Sequence, residues 1–138
     1  MPAKKSISKL KKELDKWFSL YIRLRDAMPN SGLVKCFTCP ITKHYKDGMQ
    51  CGHFMSRRHM ATRYHELNQI QCIKCNMFEQ GMQYVYGLNL DAKYGEGCAE
   101  ELQVLSRTTL KMSRVDYEEN ISYYKTIVEN LKKEKGLD

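Results

Sequence analysis

Four cysteines in two pairs are the residues whose types and spacing most clearly predict chemistry in this sequence. Cys36 and Cys39 form one pair, Cys72 and Cys75 form the other, and each pair encloses two residues. Such a pair presents two thiolates on one tight turn, and two pairs complete the tetrahedral ligand set of a structural zinc ion. A closed four-sulfur site has no open coordination position. We therefore expect zinc to stabilise the fold and any catalysis to take place beside it.

The number of cysteines and the residues at the start of the chain indicate the cellular compartment. Six cysteines without an apolar run of signal-peptide length favour a reducing, cytoplasmic location, and no apolar stretch is long enough to predict a membrane span. A thiol–disulfide oxidoreductase is disfavoured, because two separate pairs suit zinc better than a single redox pair does. Cys51 and Cys98 are expected to be buried as small apolar residues.

Composition and charge predict one soluble domain with a polyanionic partner. The 138 residues are 42% hydrophobic, and the formal net charge is +7. Basic residues cluster near the N-terminus and again around residues 57–63. Nucleic acid is the expected partner, although lysines along a helix are also commonly just solvated.

Three polar side chains lie where catalysis beside a zinc site could occur. His53 falls between the two cysteine pairs, Asn68 shortly before the second pair, and Asn76 directly after its last cysteine. Taken singly, each has a structural alternative, such as a turn residue or a helix cap. Their order along the chain is what favours a catalytic role.

This order is the pattern of the HNH, or ββα-metal, nucleases. The segment CFTC…CGHFMSRRHMATRYHELNQIQCIKCN more specifically resembles the NinG/Rap recombination proteins of lambda-like phages. FSLYIRLRDA and YVYGLNLDAKYG look like that family's flanking segments, so the resemblance covers most of residues 10–135. CIKCNMFEQGM is also similar to a turn of phage endonuclease VII, a zinc-containing Holliday junction resolvase.

The resemblance implies an α+β fold, with a zinc-stabilised ββα-metal, treble-clef-like core flanked by an N-terminal helical arm and C-terminal helices. It implies a metal-dependent endonuclease that cuts branched recombination intermediates such as Holliday junctions, forks or flaps. His53 would be the general base, Asn68 would orient its ring, and Asn76 would ligate Mg²⁺ or Mn²⁺.

One position departs from the nuclease pattern, because many ββα-metal nucleases have a metal-binding aspartate where this chain has Gly52. Glu79, at i+3 from Asn76 on an expected helix, is the first candidate to replace it. His59 is the second, and His44 and His65 rank behind. The residues predicted to contact DNA phosphates are Arg57, Arg58, Arg63, Lys9, Lys12 and Lys16.

The elements that must position these residues follow from apolar spacing and turn signals. Residues 1–32 read as a basic amphipathic helix, residues 33–90 as a nuclease core of short strands around the metal, and residues 91–138 as a helical region. Within these segments, helices are predicted from Ile7 to the PNSG turn, near Cys75, and from Glu96 to Leu105. A last helix is capped by Ser113 and Asp116.

One alternative function remains open. The chain could be a non-catalytic zinc protein that binds nucleic acid, with His53 and Asn76 as structural hydrogen-bonding residues.

For the nuclease, a homodimer is expected, because paired cutting of a junction needs two sites. The dimer surface would be one of two apolar faces, Tyr117, Ile121, Tyr124, Val128 and Leu131 or Trp17, Phe18 and Tyr21.

Overall fold

The computed structural model describes residues 4–138 and combines α-helices with two small antiparallel sheets. The predicted α+β class is therefore confirmed. In chain order the elements are α1 (Ile7–Arg25), β1 (Leu33–Lys35), β2 (Thr42–His44), β3 (Met49–Gly52), α2 (Met60–Arg63), β4 (Gln69–Cys72), a π-helix (Lys74–Phe78), α3 (Gln83–Tyr94), α4 (Cys98–Ser106) and α5 (Arg114–Lys135).

The first helix begins at a side-chain cap and buries one face. Ser6 accepts a hydrogen bond from the backbone N–H of Lys9, as an N-cap serine does. Leu10, Leu14, Phe18 and Ile22 recur every four residues and are buried. The helix predicted from this periodicity is confirmed, but it packs into the main core rather than projecting as an arm.

The last helix, α5, lies alongside the first, α1, and the two helices run in the same direction. At the N-terminal ends, Arg114 Nη1 donates to the carbonyl of Lys5 at 2.6 Å. At the C-terminal ends, Lys135 Nζ donates to the carbonyls of Leu24, Arg25 and Ala27 at 2.6, 2.9 and 2.7 Å. A cation thus donates to carbonyls at and just beyond the C-terminal end of α1, where the partial charge of the helix is negative.

The apolar stripe of α5 is used inside the chain. Tyr117, Tyr124 and Val128 are buried in the core that also contains Phe18, and Ile121 and Leu131 pack against its edge. The predicted cap is present as a capping box between Ser113 and Asp116. The stripe is therefore not free for the predicted dimer contact, because helical spacing reveals that a face is buried but not what covers it.

Two antiparallel strand pairs form the region predicted to contain short strands. β1 pairs with β2 from Leu33 opposite His44 to Lys35 opposite Thr42. β3 pairs with β4 from Met49 opposite Cys72 to Gly52 opposite Gln69. The β1–β2 hairpin carries Cys36 and Cys39 at its tip, and β4 ends at Cys72, the first cysteine of the other pair.

The helix predicted near Cys75 forms differently. The chain makes a five-residue π-helix there, passes through Gln80, Gly81 and Met82 with positive φ, and begins α3 only at Gln83. The predicted Glu96–Leu105 helix is confirmed as α4, and its buried residues join α3 in a second, smaller apolar cluster. The main cluster draws residues from all three predicted segments.

Within residues 4–138, no helix combines the length and the apolarity that crossing a membrane requires.

Two valines of α5 offer a matched test of this packing. Val128 is fully buried, whereas Val115 is 59% exposed. We expect Val128→Ala to lower the free energy of unfolding by roughly 2 kcal/mol, because it removes buried methyl groups and leaves a cavity. Val115→Ala should change it by less than about 0.5 kcal/mol. Denaturant titration measures both, and light scattering should show no change in oligomeric state; equal effects would contradict the packing described.

Candidate functional site

The four paired cysteines converge on one point. The Sγ atoms of Cys36, Cys39, Cys72 and Cys75 all lie within 4.8 Å of one another. The Cys39 and Cys72 sulfurs are 3.7 Å apart, close to the edge of about 3.8 Å expected for a tetrahedron with Zn–S bonds of about 2.3 Å. The cluster could therefore hold a zinc ion with little movement.

Hydrogen bonds stabilise negative charge on one sulfur of this cluster, that of Cys36, whereas burial raises the pKa of the Cys39 and Cys75 thiols. Cys36 Sγ accepts a hydrogen bond from the N–H of Cys72 at 3.3 Å and contacts the Thr38 hydroxyl at 3.6 Å. Burial raises the pKa of the Cys36 thiol, but these hydrogen bonds outweigh that effect and lower the pKa to about 7. A lowered pKa favours the thiolate form that binds metal. Cys51 and Cys98 are buried outside the cluster, as predicted, and burial raises the pKa of both.

His53 follows the last residue of β3 and lines a cavity of about 640 Å³. Its Nε2 lies 2.9 Å from the backbone carbonyl oxygen of Arg63. A carbonyl only accepts, so Nε2 carries the proton and Nδ1 keeps a lone pair. The ring is therefore held in a tautomer that can accept a proton through Nδ1.

The surroundings of His53 keep it neutral. Burial, to which the Phe18 ring 6.4 Å away contributes, and the positive charges of Arg57 and Arg63 lower its pKa to about 4. The carbonyl of Arg63 and the carboxylate of Asp15 oppose this shift without cancelling it. The unprotonated form is thus present above about pH 4 and is lost only as the pH falls through that value.

Asn68 reaches His53 through a shared backbone group. Its buried amide donates to the carbonyl oxygens of Thr62 at 3.0 Å and Arg63 at 3.2 Å. The Arg63 carbonyl is the group that His53 also bonds. Asn68 and His53 therefore share one acceptor, and Asn68 fixes the backbone group that orients the histidine ring.

The structure pairs the Arg63 side chain within the chain, although the sequence predicts that it contacts DNA phosphates. Its side chain donates to both carboxylate oxygens of Asp15, at 3.0 and 2.6 Å, and to the carbonyl of Arg57 at 2.8 Å. All three nitrogens of the guanidinium are used, and the residue is only 9% exposed. Sequence spacing could not reveal this partner, because Asp15 lies 48 residues away.

Asp15 joins the first helix to the cavity wall. Tyr64 donates a further hydrogen bond to it at 2.6 Å. Burial raises the pKa of the Asp15 carboxyl, but the hydrogen bonds from Arg63 and Tyr64 outweigh this, and the pKa lies below its ordinary value. Asp15 lines the cavity as a carboxylate that is already paired.

Asn76 lines the same cavity as His53. Its Nδ2 donates to Gln50 Oε1 at 2.7 Å, which leaves its own Oδ1 without a partner within that pair. Amide and carboxylate oxygens are the donors that Mg²⁺ and Mn²⁺ accept. Asn76 could therefore offer one oxygen to such an ion, with phosphate and water as the other ligands.

Neither predicted substitute for the missing aspartate lines the cavity. Glu79 follows the π-helix with an exposed side chain, because the wider i+5 turn alters the i+3 relation to Asn76 that an α-helix would give. His59 precedes α2, and its ring lies against Arg58 at 3.4 Å. Apart from the four cysteines, residues 4–138 contain no group of three histidine, cysteine or acidic side chains placed to hold an ion. His44 and His65 also lie outside the cavity lining.

The other predicted DNA contacts lie on open surface. Arg57 lines the cavity and is exposed, and Arg58 beside it is exposed. Lys9, Lys12 and Lys16 are exposed on α1, and their spacing places Lys16 one turn and Lys12 two turns from Ser19, which lines the cavity. These five cations remain available to phosphate.

Sequence reasoning missed Asp15 and Gln50. Asp15 falls next to the buried stripe of α1, at i+1 from Leu14, and this position was the available signal for an inward-facing carboxylate. Gln50 lies two residues before Gly52 on β3, so period-two alternation directs both residues to one face of the strand.

The family model described as Bacteriophage Lambda NinG protein matches residues 1–134. No curated protein and no solved structure matches the chain.

We expect one zinc ion per chain, measured by elemental analysis of the purified protein. Cys72→Ser should lose both the metal and cooperative unfolding, because zinc binding contributes directly to folding. Cys98→Ser is the matched control, since Cys98 is buried outside the cluster, and it should retain a full equivalent of zinc. A metal-free wild-type protein that still unfolds cooperatively would contradict the assignment.

We expect NMR of histidine-labelled protein to show His53 neutral, with its proton on Nε2, between pH 8 and 5.5. His53→Gln identifies the signal among the four histidines. Arg57→Gln should raise the pKa, because it removes a positive charge that opposes protonation. A titration midpoint at or above 6.5 in the wild type would show that the ring is not desolvated as described.

Proposed function

We propose that this chain, which belongs to the bacteriophage lambda NinG protein family, is a metal-dependent endonuclease that hydrolyses phosphodiester bonds in branched DNA. The observation that carries the proposal is that His53 and Asn76, far apart in sequence, line one cavity together with Arg57. A proton acceptor, an oxygen donor for a divalent ion and a guanidinium are the three groups that phosphodiester hydrolysis requires.

In this proposal His53 takes a proton from the attacking water through Nδ1. Its Nε2–H stays bonded to the Arg63 carbonyl and holds the ring in place. A pKa of about 4, set chiefly by burial, makes the free ring a weak base, and a phosphate in the cavity would offset the charge of Arg57 and so raise that pKa. Substrate binding would thereby strengthen the base at the moment it is needed.

Arg57 would hold non-bridging phosphate oxygens with its planar fork, while the P–O bond opposite the attacking water breaks. Asn76 would bind Mg²⁺ or Mn²⁺ through Oδ1, with Gln50 fixing the amide through its hydrogen bond to Nδ2. Such an ion supplies charge neutralisation at the phosphate. With one protein oxygen available, we expect weak ion binding until DNA is present.

Branched DNA is the substrate we propose, because the exposed cations are suited to phosphates rather than to base edges and so favour recognition of DNA shape. Symmetric cutting of a junction would require a second copy of the chain. Since the α5 stripe is buried against α1, that dimer would use a different surface.

We expect His53→Ala to reduce cleavage of a labelled four-way junction at least about 100-fold, because a general base contributes roughly that much. Junction binding should stay nearly unchanged, since the base acts in the transition state. Asn76→Ala should lose activity similarly and recover part of it at high Mn²⁺ concentration. Cleavage with Mg²⁺ or Mn²⁺, and without either, is the measurement.

His65→Ala provides a histidine control, because His65 lies outside the cavity lining and should leave cleavage unchanged. Binding without cleavage by the wild-type protein under every metal condition would instead favour a non-catalytic zinc protein. Full activity in His53→Ala would remove the proposed base.

A further inference from the structure

Two large apolar side chains stand exposed in the segment that contributes one wall of the cavity. Met77 is 62% and Phe78 76% exposed, and both belong to the π-helix that follows the second cysteine pair. Met77 also lines the cavity that contains His53 and Asn76, as does Gln80 two residues after Phe78. Phe78 is therefore flanked on both sides in sequence by residues of the cavity wall.

This exposure is built into a constrained turn. The N–H of Glu79 donates to the carbonyl of Lys74 at 2.8 Å, which closes the π-helix, and the N–H of Gly81 donates to the carbonyl of Cys75 at 2.7 Å. Gln80 and Met82 have φ values of 52° and 50°, a left-handed conformation that costs free energy in residues other than glycine. The buried Gln71 side chain holds the turn through Gly81 O at 2.8 Å.

π-Helices and strained backbone recur at functional sites, where surrounding contacts maintain a shape that the local sequence disfavours. Here the maintained shape turns a phenylalanine towards solvent instead of into either apolar cluster. Cys75, one of the four clustered cysteines, lies within the same π-helix. The aromatic ring is thus carried by a part of the chain that a bound metal would make rigid.

We propose that Phe78, supported by Met77, stacks on an unpaired or unstacked base at the branch point of DNA held in the cavity. The proposal rests on the proposed function and names the feature of the substrate that the site recognises. Arg57 lines the cavity, Lys74 is exposed in the same π-helix as Phe78, and the chain carries a net charge of +7, which outweighs the exposed carboxylate of Glu79 next to Phe78. Such surroundings favour a polyanion over the apolar patch of a second protein.

Stacking of this kind distinguishes branched from linear DNA. An apolar wedge entering an intact duplex must first unstack a base step, whereas at a branch point that free-energy cost has already been met. Aromatic stacking is tolerant of base identity, because every base presents a π face. Phe78 would therefore supply preference for structure without preference for sequence.

The test compares the affinity of the full chain for a four-way junction and for a linear duplex of the same sequence, measured by fluorescence anisotropy without added Mg²⁺ or Mn²⁺. We expect Phe78→Ala to weaken junction binding roughly 5- to 100-fold and to leave duplex binding unchanged. Phe78→Trp should retain wild-type affinity, because it keeps an aromatic face. Tyr123→Ala is the control, since Tyr123 is an exposed aromatic residue on α5.

Three outcomes would overturn the proposal. Phe78→Ala could bind the junction as the wild type does, or it could lose affinity equally for the duplex. It could also change the oligomeric state in sedimentation while junction binding is unaltered, which would assign Phe78 to a contact between copies. The proposed nuclease activity fails separately, through absence of cleavage by the wild type, because the affinity comparison requires no cleavage. Zinc content equal to that of the wild type verifies that each variant is folded.

Discussion

The convergence of four cysteine sulfurs is the constraint on which the rest of the site depends. Cys36 and Cys39 lie at the tip of the β1–β2 hairpin, Cys72 ends β4, and Cys75 lies in the π-helix. β4 is also paired with β3 in a fixed register, so the strand leading to His53 is tied to the same cluster. His53 and Asn76 extend from opposite ends of this strand pair, and the cavity follows β3 between them, past Gln50 and Cys51.

The absence of an aspartate before His53 has a physical cause in the neighbouring strand. A Cβ added at Gly52 would lie 1.9 Å from the side-chain oxygen of Gln71, which is fully buried. Gln71 is occupied there, because its Nε2 donates to the Thr38 hydroxyl at 3.0 Å and to the carbonyl of Gly81 at 2.8 Å. One side chain therefore links the first cysteine turn to the strained turn after the second pair. Glycine at position 52 is what leaves room for that link.

Local patterns predicted those parts of the molecule that depend on local physics. Cysteine spacing identified the four-cysteine cluster, apolar period and capping identified α1 and α5, and a breaker identified the start of α4. The order of His53 and Asn76 anticipated two residues of one cavity. Long-range partners are what local patterns leave open. Arg63 was expected to face phosphate and pairs with Asp15, and the α5 stripe, one of two faces expected to form a dimer contact, covers α1. Neither partner leaves a signal within one turn or one strand of sequence.

The first helix, α1, contributes both to the apolar core and to the cavity. One face buries Phe18 against Tyr64 and Tyr124, at ring separations of 5.5 and 5.2 Å, and so closes the apolar side of the His53 environment. On the cavity side Asp15 neutralises Arg63, which leaves Arg57 as the cation of the lining that is free to meet an anion. The exposed Lys12 and Lys16 continue the positive charge along the same helix. In the proposed function, a phosphate backbone bound along Lys12 and Lys16 would reach the cavity, where Arg57 lies near the neutral, proton-accepting imidazole of His53.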